Sequence, residues 1–353
     1  MRDFQTIRSY AEKILKGIIH SGEAPGSYPF MENWDWYQGV ALFGMYRYYL
    51  DTKNQEAMDY LLHWFDDHIA RGLPGKEINT MCPLLTLAYL YEETEKREYL
   101  EICREWAEYA MNCFPRTEEG GFQHITVNNT NYMQLWDDTL YMTVLFLAKV
   151  STILKREDIL QETIRQFLVH IKYLSDPTTG LFFHGFNFVG RHHYARACWG
   201  RGNSWLTAGI VDYLEMTSIS DSVKWFLTST LEQQAQALAK YQDQEGMWHT
   251  LIDDVEGSYQ ESSATAGISY GLLKAVRKGY LDSSYAACAR RGLDAVISRI
   301  DEYGLLQQVS GGTCLLDTLD GYRNIIVRPE PYGQAMALLL LGEAMQWCRE
   351  DEQ

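Results

Sequence analysis

Four short stretches of the chain bring acidic, basic and aromatic side chains together at spacings that could do chemistry. In L-W-D-D-T-L-Y-M (135–142), Asp137 and Asp138 sit inside an otherwise apolar run. Burial raises the pKa of a carboxyl, which suits a general acid, unless the group instead ties its element to a neighbour's backbone. Both readings stand on the spacing. Neighbouring helix positions diverge by about 100°, so on a helix at most one of the two carboxyls would face a given cleft. In G-L-F-F-H-G-F (180–186) a turn presents His184. In C-W-G-R-G-N-S-W-L (198–206), Trp199, Arg201, Asn203 and Trp205 surround two glycines where a helix begins. A guanidinium fork among aromatics at a helix N-terminus would receive a planar carboxylate, and indole faces would cover the apolar side of a sugar ring. The competing reading is an internal partner for Arg201 and tryptophans in the core. In E-N-W-D-W-Y-Q-G-V (32–40), core packing is the first reading for Trp34 and Trp36, with Trp36 kept as a candidate wall of a binding site.

Other chemistries lack their residues. No G-x-G-x-x-G follows a strand, and neither G-x-x-x-x-G-K-[ST] nor H-E-x-x-H occurs. Nucleotide cofactors and zincin chemistry are therefore not expected. His184, His192 and His193 lack a Cys or carboxylate at ligand spacing, so no metal is expected either. The 353 residues carry 47 acidic and 31 basic side chains, a formal net charge of −16, without any basic block. A nucleic acid or an anionic bilayer would need a basic face, so neither is an expected partner. The seven cysteines are scattered and never form C-x-x-C, which reads as reduced thiols in the cytoplasm. Charges interrupt every apolar stretch of the first residues, so neither a signal peptide nor a membrane span is expected there.

Helices must position these groups. With only 8 prolines, long uninterrupted helices are favoured. Residues 156–174 carry one apolar stripe, whereas 131–150 are apolar nearly all round, as an inner helix would be. The alternation continues with 198–216 and 221–241, then 262–279 and 283–300. Between the pairs a loop recurs: T-E-E-G-G-F-Q-H to His124, D-P-T-T-G-L-F-F-H to His184, D-Q-E-G-M-W-H to His249, D-E-Y-G-L-L-Q to Gln307. Gly121, Gly180, Gly246 and Gly304 anchor these loops with the positive-φ turn that ends a helix. They recur at about 60 residues, so the chain holds about six helical hairpins, enough to close a ring. The expected fold is all-α, an (α/α)6 barrel forming one domain over residues 1–353.

Together these motifs resemble glycoside hydrolase family 105, the unsaturated rhamnogalacturonyl hydrolases. W-D-W-Y-Q-G-V-A-L-F-G-M-Y-R-Y-Y (34–49), N-Y-M-Q-L-W-D-D-T-L-Y-M (131–142), the H-G-F turn and W-G-R-G-N-S-W (199–205) occur in that family's order. The resemblance runs from about residue 30 to P-E-P-Y-G-Q-A (329–335), and the family's six-hairpin barrel agrees with the repeat count.

The resemblance implies hydration of a vinyl ether. Polysaccharide lyases leave a terminal uronic acid with a C4=C5 double bond. An Asp protonates C4, water adds at the cationic C5, and the hemiketal opens and sheds the remaining saccharide. It assigns the acid to Asp138, a sugar contact to His184, and substrate binding to Trp199, Arg201 and Trp205. The second acidic position of many relatives falls on Asn79, in E-I-N-T-M (77–81), where an amide cannot act as a base. The expected substrate is a lyase-generated pectin-type oligosaccharide, and no cofactor is implied. The nearest alternative is family 88, acting on unsaturated glucuronyl disaccharides. A sugar 2-epimerase using His124, His184 and His249 and a non-catalytic carbohydrate-binding protein share the barrel.

Overall fold

A computed structural model describes residues 2–23 and 28–351. Twelve long helices form it: α1 (Phe4–Ile19), α2 (Trp36–Thr52), α3 (Gln55–Arg71), α4 (Pro83–Thr94), α5 (Arg97–Cys113), α6 (Leu145–Leu154), α7 (Glu157–Leu174), α8 (Gly200–Met216), α9 (Asp221–Tyr241), α10 (Ser262–Arg277), α11 (Tyr285–Ile297) and α13 (Pro331–Asp351). A short helix, α12 (Leu319–Arg323), precedes the last. Inner helices α2, α4, α6, α8, α10 and α13 each touch the next, and α13 touches α2, so the inner ring closes. The outer helices alternate with them, and α1 packs on α13. The sixth pair is thus made from opposite ends of the described chain. This is the (α/α)6 barrel.

Apolar patterning explains the two rings. The outer helices α1, α5 and α7 bury one stripe, while every residue of α8 from Gly200 to Leu214 is buried. Small residues let inner helices approach closely: a Cβ on Gly271 of α10 would fall 2.7 Å from the Thr207 carbonyl carbon of α8. Side-chain caps start several helices, with Asp3 accepting from Thr6 N at 3.0 Å and Asn54 from Ala57 N at 2.9 Å.

The two ends of the barrel differ. Tight turns through left-handed Lys53, Glu95 and Lys155 lead from inner α2, α4 and α6 to the outer helices that follow. Long segments return to the inner helices at the opposite end and include the repeated loops. Their left-handed glycines are Gly120, Gly180, Gly246 and Gly304. Gly121, the expected anchor of the first loop, has φ −59°. Its own backbone runs on from the turn that Gly120 makes.

Residues 131–150 are not one helix. Gln134–Trp136 form strand β1, which pairs antiparallel with β2 (Gly185–Asn187), placing Trp136 opposite Gly185. Asp137 and Asp138 occupy the turn that follows, ahead of a π-helical turn (Leu140–Val144) that runs into α6. The apolar run is real, but its first part is covered by β2 and the loops around it rather than by helices.

Candidate active site

The inner helices all start at the end that carries the long loops, so their positive N-terminal ends point there. A cavity of about 480 Å³ opens at this end. Its walls include Trp36 at the start of α2, Asn79 before α4, Asp138 before α6, and Trp199 and Trp205 at the start of α8. Five of the seven residues singled out as site candidates therefore line one cavity. Trp34, by contrast, is core: it stacks on Trp64 at 5.3 Å and donates to the Thr80 carbonyl at 2.9 Å.

Asp138 sits at the cavity wall with its side chain 14% exposed. Its carbonyl accepts from Tyr141 N and Met142 N, at 3.0 and 2.9 Å, which fixes the turn against the π-helical segment. Burial pushes the carboxyl up to about 7, against the opposing pull of Arg201. His124, from the first repeated loop, stacks flat on Trp136 at 4.1 Å and bonds Thr139 Oγ1 at 2.9 Å. Burial holds its pKa down to about 3, so it is neutral. A carboxyl that keeps its proton near neutral pH, beside a neutral imidazole, can protonate a bound molecule.

Arg201 does not face the cavity as an open fork. It is fully buried, stacked between Trp199 at 4.5 Å and Tyr332 at 4.8 Å. Its Nη1 donates to the Ser310 carbonyl at 2.9 Å and to Ser310 Oγ, and Nη2 donates to the Gly311 carbonyl at 2.9 Å and Thr313 Oγ1 at 3.1 Å. Glu261 accepts from Ser310 N at 2.7 Å, and Tyr332 donates to the Ser310 carbonyl. Arg201 is thus one of three clamps on a segment whose continuation, Gly312–Leu315, lines the cavity. His184 is likewise set back. It bonds Tyr322 Oη at 2.8 Å and packs behind Trp199 at 4.2 Å. The two later members of the repeated loop are braced locally, His249 by Asp243 at 3.1 Å and Gln307 by Asp301 at 2.7 Å.

Sequence reasoning missed two cavity carboxyls. Glu77 lies two residues before Asn79, accepts from Asn79 N at 3.0 Å and Thr80 N at 2.8 Å, and is pushed by burial up to about 7. Asp35 caps α2 through Trp36 N at 2.6 Å, and burial raises its pKa as well. Nothing local in the sequence signals that either carboxyl turns toward the cavity. Among the described residues, no Lys or Arg lines the cavity. An anion bound there would meet helix N-termini and neutral donors, with Arg201 one layer behind.

Comparison with known proteins places the chain. The sequence profile of Glycosyl Hydrolase Family 88 matches residues 10–347. The chain belongs to the family 88 and family 105 glycoside hydrolases. It is 34% identical over 348 residues to the unsaturated rhamnogalacturonyl hydrolase YesR of Bacillus subtilis (strain 168), covering 98% of this chain and 96% of that one. A crystal structure described as a possible member of the GH105 family from Salmonella enterica serovar Paratyphi A superposes with a TM-score of 0.94 at 43% identity, over 98% of this chain and 95% of that one. A possible GH105 member from Klebsiella pneumoniae gives 0.91 at 42%, over 97% and 93%. These similarities agree with the family 105 motifs read from the sequence.

Proposed function

We propose that this protein removes the terminal 4,5-unsaturated uronic acid from lyase-generated, pectin-type oligosaccharides by hydrating the C4=C5 double bond. The observation that carries the reading is Asp138, a cavity carboxyl that burial pushes up to about 7, in a chain matched over 98% of its length by an unsaturated rhamnogalacturonyl hydrolase. Asp138 gives its proton to C4. The ring oxygen stabilises the cation at C5, water adds there, and the Asp138 carboxylate takes up the water's proton. The hemiketal then opens and releases the saccharide. Trp36, Trp199 and Trp205 provide apolar walls for the sugar, and Asn79 offers an amide to its hydroxyls. His184 and Arg201 act from behind those walls, Arg201 by holding Gly312–Leu315 in place. The barrel works as one domain. No helix among the described residues is long and apolar enough to cross a membrane, and the scattered thiols suit a cytoplasmic enzyme that receives imported disaccharides. Incubation with a panel of unsaturated uronyl disaccharides tests the reading. Loss of the double bond's ultraviolet absorbance with the rhamnogalacturonan disaccharide supports it; constant absorbance across the panel with folded protein refutes it.

A further inference from the structure

The segment that begins at His124 runs from the acid to the mouth of the cavity. His124 is buried, 3.3 Å from Asp138. Three residues later Val127 is 73% exposed, at the tip of a tight hairpin in which the Thr126 and Asn129 backbones bond each other at 2.9 and 3.3 Å. Val127, Asn129, Asn131 and Gln134 all line the cavity. Each of the three amides is held at one end only. Asn129 Oδ1 accepts from Asn131 N at 3.1 Å, Asn131 Nδ2 donates to the His124 carbonyl at 2.8 Å, and Gln134 Oε1 accepts from Trp136 Nε1 at 2.9 Å. These partners fix which end of each amide is nitrogen and which is oxygen. Asn129 Nδ2, Asn131 Oδ1 and Gln134 Nε2 have no hydrogen-bond partner among the described residues. Two oriented donor groups and one oriented acceptor are therefore open, and no step described above uses them.

We propose that this segment receives the saccharide that leaves: Asn129, Asn131 and Gln134 bond its hydroxyls, Val127 covers an apolar edge, and together they set which leaving sugar is preferred. The inference rests on the function proposed above. C1 and C4 lie across a pyranose ring from each other. A ring whose C4 meets Asp138 therefore directs its C1, and the saccharide attached there, away from the acid and toward the mouth, where the hairpin tip stands. A sugar hydroxyl both donates and accepts, which amide N–H groups and an amide carbonyl satisfy together. The bonds that hold the three amides orient them in advance, so less freedom is lost on binding. The other rim segment, Gly312–Leu315, offers less, because Thr313 Oγ1 already donates to the Gly311 carbonyl and accepts from Arg201. Uncharged amides, in a cavity lined by no Lys or Arg among the described residues, suit a neutral leaving sugar rather than a sulfated one.

Two substrates with the same reacting ring test this: an unsaturated uronyl disaccharide with a neutral second sugar, and the methyl glycoside of the same unsaturated uronic acid. The wild-type protein should show the higher kcat/KM on the disaccharide. Asn129→Ala and Gln134→Met each remove one open N–H group. Each should lower kcat/KM on the disaccharide by about three- to tenfold, the worth of one neutral hydrogen bond, and change that on the methyl glycoside by less than about twofold. Asn129 lies exposed beside the hairpin tip, so its variant carries the test even if Gln134→Met misfolds. A variant that only loosens the segment would disturb His124 and Asp138 and slow both substrates alike. Equal losses on the two substrates, or no loss on the disaccharide, overturn the inference while wild-type turnover upholds the proposed function. Faster turnover of a disaccharide sulfated on its second sugar than of the neutral one also overturns it. A folded wild-type protein that turns over neither substrate refutes the proposed function, and this inference with it.

Discussion

His124 Nδ1 stands 3.3 Å from Asp138 Oδ1, yet the two are not an ion pair near neutral pH. Burial lowers the imidazole to about 3 and raises the carboxyl to about 7, so one is neutral and the other holds its proton much of the time. An acid must be protonated to act. kcat/KM should therefore be high below pH 7 and fall as pH rises through about 7, with no inflection near 6.5 from His124. A profile that instead rises through 6.5 would mean that His124 titrates as an ordinary histidine and that the site is wetter than its packing.

Asp138→Asn preserves the side chain's shape and removes its proton. Turnover should fall by at least the roughly 100- to 10,000-fold typical of a general acid or base, while isothermal titration still detects disaccharide binding. Loss of binding together with turnover would point to a structural role.

Arg201 offers a different signature. Arg201→Ala leaves the Ser310 carbonyl with Tyr332 and the Gly311 carbonyl with Thr313 as donors. It nevertheless removes four hydrogen bonds of the buried guanidinium and empties the space between Trp199 and Tyr332, and hydrogen bonds to a charged group are worth about 1.5–3 kcal/mol each. Urea unfolding should show a destabilisation of at least about 2 kcal/mol, accompanied by a raised KM. Arg201→Lys keeps the charge but not the fork and should share most of the loss. Full stability with only KM affected would mean that Arg201 grips the substrate directly.

Gly312 has room for no side chain: a Cβ there would meet Tyr37 Oη at 1.9 Å, and both residues line the cavity. Gly312→Ala should reduce kcat/KM more than tenfold, since an ångström-scale displacement in a site can cost about that or more. The double variant with Tyr37→Phe, which removes the clashing oxygen, should recover part of the activity. No recovery would place the damage elsewhere in the 310–315 segment.

The rings of the barrel were legible because helix amphipathicity is local. Stripes over 156–174 and all-round burial over 198–216 appear as α7 and α8, and the loop glycines marked the period to within one residue. The cavity lining was legible where a motif lies beside a helix start, as Trp199, Trp205 and Asp138 do. It was not legible where long-range pairing decides. β1 exists because residues 185–187 pair with 134–136, Trp136 with Gly185 and Gln134 with Asn187, so the first part of the 131–150 run looks helical until that partner is known. The direction of Arg201 likewise depends on Ser310–Thr313, more than 100 positions downstream. Glu77 and Asp35 hold ordinary capping positions, and only the closing of the ring brings them to the same wall as Asp138.

Where the proton goes tests the central claim most directly. Conventional glycoside cleavage activates water at the anomeric carbon between two carboxyls, and Glu77 and Asp35 make that alternative concrete. Protonation of C4 by Asp138 instead leaves a record in the product. When the reaction runs in deuterated water and is quenched early, NMR of the released uronic acid derivative should show one solvent-derived deuterium at C4. A product formed at full rate with no deuterium at C4 would contradict hydration of the double bond and the role of Asp138 as its acid.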